Sequence, residues 1–540
     1  MLIVLFPIII ALIFLYTTRN FRYWSKRNVK HDFPVPLFGN HFRNLFGIKS
    51  LTQLTTELYY KYPEEKVVGY FKGTTPALVI RDLDIARHIL SVDFIHFYPR
   101  ALGRNPEIEP LLGNIFHLDG DKWKLLRQRL TPAFTTAKLK AMFPLVINCA
   151  DKLHIVGEKI DKNGGDFDAR ELMARFTTEF IGACGFGIEM NSINNEHSEF
   201  RELGRYMFSR YFYDIVLMGI WELFPEVRNL IRVRKTDLDD AISKIVLSIF
   251  EQRNYKPSGR NDFIDLLLEL SEKGQIEGES IEHIDRNGVS KHIVMELKTM
   301  DLIAQVFIFF AAGFETSSSA TSFALHQLAL NPDIQSKIQK EIDEVLAKYD
   351  NKLCYDAISE LIYLDMAFKE AMRLFPSLGF LHRKCARRYT IPQLGITIDP
   401  GVNIIIPIQA IQTDEKYFDN AKEFRPERFA DGKNINKYAY LPFGDGPRAC
   451  IGTRLGQMQS LAGLAAILQK FTVEPSDKTP MELPVNPWSN NAQAVKGGIP
   501  LKLKCRKRST RSDAVSGGTG CYSAEVHRRA LRQNPHGTTY

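Results

Sequence analysis

Ten residues, Phe443-Gly444-Asp445-Gly446-Pro447-Arg448-Ala449-Cys450-Ile451-Gly452, constrain this 540-residue chain more than any other stretch. A lone cysteine stands among glycines, with Arg448 two positions before it and Phe443 seven before it. A thiolate used as a ligand needs protection from protonation and oxidation. Backbone N–H groups aimed at the sulfur give that protection, and Gly446 and Gly452 let the loop take the required shape. Such a sulfur suits the axial position of a heme iron, and the planar fork of Arg448 suits a heme propionate. The plainer reading is a buried, inert thiol beside an ordinary turn.

The rest of the chain is helical in pattern, with strand-rich stretches near 66–80 and 389–408. Asp301 to Leu330 is the longest helical run, closed by Asn331-Pro332-Asp333, which also opens the next helix. Its roughly 30 residues make a rod of about 45 Å, long enough to cross a domain. In its middle Ala311-Ala312-Gly313 leaves a bare patch, and Glu315-Thr316 precede Ser317, Ser318 and Ser319. Glycine weakens a helix and hydroxyls bond back to carbonyls one turn earlier, so the helix is expected to widen here into a groove. Thr316 is then placed to donate to bound dioxygen, and Glu315 to relay protons. Close helix packing is the competing use of the same small residues.

The loop pattern F-x-x-G-x-R-x-C-x-G resembles the heme-binding loop of the cytochrome P-450 family, and Ala312-Gly313-Phe314-Glu315-Thr316 is similar to its oxygen-activation motif. The resemblance runs from about Phe33 to Lys504, with the motifs in order. It implies a mainly α fold with small β-sheets, a triangular helical prism around heme b, whose iron takes an axial cysteine thiolate. Phe443, Gly444, Gly446, Gly452, Ala312 and Gly313 would border that cofactor. Trp123 and Arg127, at i and i+4, resemble the helix that serves a propionate, and Arg383 resembles a further propionate-binding arginine. Glu370, Arg373 and Arg428 resemble a buried structural network that fixes the cysteine loop. Alone, Trp123 and Arg127 read equally as a surface pair. Likewise Glu370 and Arg373 at i and i+3 would be worth only a few tenths of a kcal/mol if exposed.

Thr131-Pro132-Ala133-Phe134 and the wording around Cys450 are similar to insect microsomal members that metabolise plant toxins and insecticides. Thr453 departs from the many relatives with an apolar residue there, and no effect on ligation is expected. The activity implied is insertion of one atom of dioxygen into lipophilic substrates. Candidate contacts by position are Phe116, Phe212, Phe309, Phe310, Leu378 and Phe380, residue types that serve equally as core. No pyridine-nucleotide or flavin fingerprint is present, so the resemblance implies an NADPH-dependent reductase as electron donor, with cytochrome b5 as a second one. Lys122, Lys124, Arg129, Lys138 and Lys140 offer a docking face, or simply a solvated one. Two rival classes are a reductase-independent isomerase that rearranges peroxides and a non-catalytic heme carrier. Glu315-Thr316 counts against both.

The ends carry the basic charge. Leu2 to Tyr16 is apolar, and residues 1–18 are expected to form a single transmembrane anchor, slightly short of the roughly 20 residues a bilayer asks for. Arg19, Arg22, Lys26, Arg27 and Lys30 follow without an acidic residue, which keeps that flank and the catalytic body cytosolic, as on the endoplasmic reticulum. Residues 34–40, with Pro34 and Pro36, are expected to run as a stiff extended hinge, making 19–40 a basic flank and spacer. The catalytic domain is placed at 41–505, and the arginine-rich 506–540 reads as a disordered or artefactual tail. Five positive charges from the flank and five net from the tail leave the body near −2 of the formal +8. Nothing supports nucleic acid as a partner. The seven cysteines lack paired spacing, so neither a disulfide framework nor structural zinc is expected.

Overall fold

In a computed structural model, the chain is described over residues 2–506, apart from 101, 103–104, 189, 196–198, 209–211, 225, 227–229, 231, 233–235, 261, 286, 431–434 and 490–491. It is mainly helical, and the core is organised by one helix, Thr299–Leu330, of 32 residues. That helix is long and apolar enough to cross a membrane, yet 67% of its apolar window is buried inside the protein. A helix apolar on all sides is a core element rather than a surface one. Asp301 fixes its start by accepting the N–H of Lys298 (3.1 Å) and the ammonium of Lys122 (2.5 Å). Asn331 ends it by donating to the Gln327 carbonyl, and Pro332 starts the next helix, Pro332–Ala347.

The groove expected from the hydroxyl run does not form by widening. Thr316 donates to Ala312 O (2.7 Å) and Thr321 to Ser317 O (2.7 Å), while the helix stays α throughout. Gly313 serves the competing use, because a Cβ there would collide with Ile181 of the crossing helix Ala169–Ile181. Thr177 of that helix donates to Phe314 O across the contact (3.1 Å).

Small sheets flank the helices. Val67–Lys72 and Thr75–Ile80 form a hairpin whose second strand pairs in parallel with Asn403–Ile406, which in turn pairs antiparallel with Leu381–Lys384. Gln275–Ile284 and Ser290–Glu296 form a separate two-stranded hairpin. A third sheet joins Phe471–Pro475, Pro500–Cys505 and Asp166–Asp168.

At the N-terminus a helix spans Leu2–Thr18, and its described apolar side chains are largely exposed. The flank behind it is not a spacer. Trp24 is fully buried and donates to Tyr70 O, Arg27 pairs with Asp399, and Arg19 with Glu226. Residues 34–40 turn back on themselves through a Val35–Gly39 bridge instead of running extended. Gly39 decides this: its φ is +61°, and a Cβ would meet the Phe71 carbonyl at 2.5 Å. At the other end Arg506 is part of the fold, held by Asp343 and the Leu468 and Gln469 carbonyls. The tail 507–540 lies outside the described residues.

The Glu-Arg helix Ile362–Leu374 carries a buried charge cluster. Glu370 accepts both Nε (2.7 Å) and Nη2 (2.9 Å) of Arg373, Nε of Arg428 (3.1 Å), and the backbone N–H of Arg425 (3.0 Å). Arg373 also donates to the carbonyls of Gln412, Ala421 and Glu423, and Arg428 to Asn420 O. Gln412 then accepts the N–H of Leu441, at the entrance to the cysteine loop (2.9 Å). Removing one partner strands a buried charge. Arg373→Ala is therefore expected to cost about 3–5 kcal/mol in denaturant unfolding; a loss under about 1 kcal/mol would show that the cluster does not hold this segment.

Candidate active site

The cysteine loop forms one wall of a cavity of about 420 Å³, lined also by the central helix and by the helix Gly120–Leu130. Cys450 N–H donates to Phe443 O (2.9 Å), closing the loop on itself. Gly444 and Gly446 have φ of +69° and +72°. Gly446 has a second reason to be glycine, since a Cβ there would strike the Leu90 carbonyl. Gly452 differs from expectation: with φ −91° its backbone suits any residue, and it caps the following helix Thr453–Lys470.

Cys450 is deep within the protein mass, but its surface is exposed to the open cavity. Burial raises its thiol pKa, opposed by the Gly452 N–H, the Thr453 hydroxyl and the charges of Arg100 and Arg127. The Thr453 hydroxyl donates to Cys450 O (3.0 Å), which places it beside the cysteine. A second thiol, Cys184, lines the same cavity. Burial and the neighbouring Cys149 push its pKa far up, and no cation opposes them. Burial raises both thiols, but only at Cys450 do nearby cations oppose the rise, which makes it the better candidate ligand of the two.

At one end of the cavity Arg100, Arg127, Arg383 and Arg448 converge. Arg448 lies over the Trp123 ring at 3.8 Å and donates to Asp119 (2.8 Å) and to Tyr98 O (3.0 Å). Arg100 donates to Phe116 O and Arg448 O. Arg383 is fully buried, and its Nε has no hydrogen-bond partner. Burial pushes the pKa of Arg100 down to about 10, with repulsion from Arg127 second. For Arg383 and Arg448 it falls to about 9 and about 8, from burial and then Arg100. Arg127 is lowered by burial as well. Guanidinium groups hold their proton well above these values in water, so the cluster registers a deficit of negative charge that Asp119 meets only in part. A flat cofactor with two carboxylates on one edge fits that deficit, with Trp123, Phe443 and Ala312 supplying an apolar surround.

Along the central helix Ala312, Gly313, Thr316 and Ser317 face the cavity, and so does Phe309. Glu315 does not. Its carboxylate is buried against Arg170 of the crossing helix. Phe310 is likewise fully buried, edge-on to Phe186 and Phe200 and stacked on Phe314, so it sits in the core and does not line the cavity. The way the helix is turned against its neighbours, rather than spacing alone, sends Thr316 and Phe309 to the cavity while Glu315 meets Arg170 and Phe310 meets other aromatic rings. Phe116, Leu378 and Phe380 do line the cavity. Phe212 opens a helix, Phe212–Leu223, but its side chain lies outside the described residues.

The expected basic docking face is largely spoken for. Lys122 pairs with Asp301, Lys140 with Asp356, and Arg129 donates to Glu277 O (3.1 Å). Lys138 turns toward the cavity. Arg100 and Asp119 were not singled out from the sequence. Their only trace there is a charged residue at either end of the irregular segment before Trp123, and it is the cavity that brings them to the other arginines.

A family model described as "Cytochrome P450" matches residues 30–501. The chain is 38% identical over 504 residues to cytochrome P450 6B6 of Helicoverpa armigera, covering 93% of this chain and 97% of that protein. Cytochrome P450 6a2 of Drosophila melanogaster is 38% identical over 505 residues, 90% and 96% of the two chains. Cytochrome P450 6B1 of Papilio polyxenes is 35% identical, over 93% and 99%. The thiol-bearing loop and its cavity are thus those of a member of the cytochrome P450 family, a monooxygenase whose heme iron takes a cysteine thiolate.

Proposed function

We propose that Cys450 is that thiolate and that Arg100, Arg127, Arg383 and Arg448 receive the heme propionates. The observation that carries the reading is the charge deficit of four converging guanidinium groups, one with a buried Nε lacking a partner, beside the one cavity thiol that cations favour. When bound, the heme supplies activation of dioxygen and transfer of one oxygen atom. This chain's residues do the rest. The Gly452 N–H, the Thr453 hydroxyl and the charges of Arg100 and Arg127 oppose the rise that burial imposes on the Cys450 thiol and so favour its thiolate once the iron is bound. The apolar wall of Phe116, Phe309, Leu378 and Phe380 admits lipophilic molecules and excludes water. Thr316 holds a proton at the opposite wall, on a hydroxyl already oriented by Ala312 O.

The substrates are proposed to be lipophilic xenobiotics such as plant toxins or insecticides, with an NADPH-dependent reductase, and cytochrome b5 as a second donor, supplying electrons. The helix Leu2–Thr18 is proposed to anchor the chain in the endoplasmic reticulum membrane, with the body on the cytosolic side. Its exposed apolar surface supports this, as does its attachment to the body, through Tyr16 and Arg19 on Glu226. Because Lys122, Arg129 and Lys140 are engaged within the chain, reduction is expected to depend only shallowly on ionic strength. A steep fall in reduction rate with salt, measured by stopped flow, would restore an electrostatic docking face.

Cys450→Ala is expected to abolish the red-shifted Soret band of the reduced carbon monoxide complex, while Cys184→Ala keeps it; survival of the band in Cys450→Ala overturns the assignment. Thr316→Ala is expected to raise hydrogen peroxide released per NADPH consumed several-fold. Glu315→Gln should leave that ratio near native and instead lower thermal stability through Arg170. Equal uncoupling by the two variants would show that Glu315 works from inside the cavity.

A further inference from the structure

The hairpin Gln275–Glu296 has no part in the cavity wall, yet it grips both elements that carry the propionate-side arginines. We propose that it is a latch that sets this edge of the heme site, with Asp121 and Glu282 as its positioning residues; the proposal rests on the heme-site reading above. Four observations carry it.

The helix that bears Trp123 and Arg127 begins without a side-chain cap of its own. Asp119 occupies the N-cap position, but its carboxylate is spent on the backbone N–H of Arg100 (2.9 Å) and on Arg448 (2.8 Å). The cap comes from the hairpin: Glu282 accepts the N–H of Asp121 (3.0 Å), putting a carboxylate where a helix N-terminus favours one.

Asp121 returns the contact. It accepts the N–H groups of Ile281 (2.6 Å) and Glu282 (3.2 Å) and the hydroxyl of Ser280 (2.7 Å), and it is itself buried. The fit is close along the whole face. Gly120, at φ +65°, has no room for a Cβ beside the Glu282 carboxylate, and a Cβ on Gly278 would meet Leu125 at 2.9 Å.

The same turn of hairpin also holds the other arm. Arg387, three residues beyond the end of the strand Leu381–Lys384 that bears Arg383, donates to the carbonyls of Ile281 (2.8 Å) and Glu282 (3.2 Å). One short segment, 280–282, therefore fixes the spacing between Arg127 on the helix and Arg383 on the strand. Both groups are pressed by like charge within the buried cluster, each against Arg100 and Arg448, so their placement needs to be imposed from outside.

The test uses the full-length holoprotein. Heme transfer to excess apomyoglobin, the propionate bending bands in the resonance Raman spectrum, and thermal unfolding are measured for Asp121→Ala, Glu282→Ala, Glu282→Gln and, at the hairpin tip, Asn287→Ala. Loss of a charge-assisted contact predicts about tenfold faster heme loss in Asp121→Ala and Glu282→Ala. Their propionate bands should shift toward weaker hydrogen bonding. Glu282→Gln, which keeps an acceptor for the Asp121 N–H, should recover most of both, and Asn287→Ala should match the parent. The latch is overturned if Asp121→Ala or Glu282→Ala keeps native heme loss and native propionate bands while proteolysis of 280–290 accelerates, showing the hairpin released. If Asp121→Ala fails to fold, the Glu282 pair decides alone. Failure of the heme-site reading is told apart by Cys450→Ala: retention of the carbon monoxide band there, and not any result at the hairpin, would bring down both.

Discussion

A carboxylate that never meets water, Glu370, holds the approach to the cysteine in place. The segment 413–425 ahead of the loop is irregular backbone, and buried carbonyls without ladder partners must be satisfied by something else. Arg373 is suited to this because a guanidinium carries five donors in a fixed fork. It can meet Glu370 twice and still reach the carbonyls of Gln412, Ala421 and Glu423. The buried charge therefore organises chain that helices and sheets do not, and Gln412 hands that order on to Leu441 at the loop's entrance.

The cavity reconciles three unlike demands: an apolar wall, an ionised sulfur, and a cationic edge. Arg100 and Arg127 serve the last two together. Their charges favour the Cys450 thiolate and also belong to the group that awaits the propionates. Placing them where burial works against their own charge costs stability in the absence of the anions, which couples folding of this edge to the cofactor.

Much of this was legible in the sequence where spacing alone fixes geometry. Trp123 and Arg127 at i and i+4 do share the cavity side of one helix, and the long helix ends at Asn331-Pro332 as its capping residues dictate. What failed were inferences that needed a rotation angle or a neighbour. Nothing in the spacing says which way the long helix is turned: Thr316 and Phe309 reach the cavity, while Glu315 meets Arg170 and Phe310 packs among other rings. The prolines at 34 and 36 argued for an extended spacer until the close approach of Gly39 to Phe71 is known. The hairpin Gln275–Glu296 was not visible at all. Its strands are crowded with charge, and only Ile276 and Ile281 among its apolar side chains are fully buried, so its alternation is faint.

The central helix has one more consequence, for how the protein is made. Its apolar character passes for a membrane span, and the chain is synthesised from the N-terminus behind another apolar helix. The partners that cover its far side, Ile362–Leu374 and Thr453–Lys470, are encoded downstream and emerge from the ribosome later. With the N-terminal helix anchored as proposed, a segment destined for the interior of the body would be exposed beside a lipid surface during that interval. On that reading biogenesis depends on timing: the helix Ala169–Ile181, already made, would dock on Gly313 and give Glu315 its arginine before the bilayer claims the newcomer.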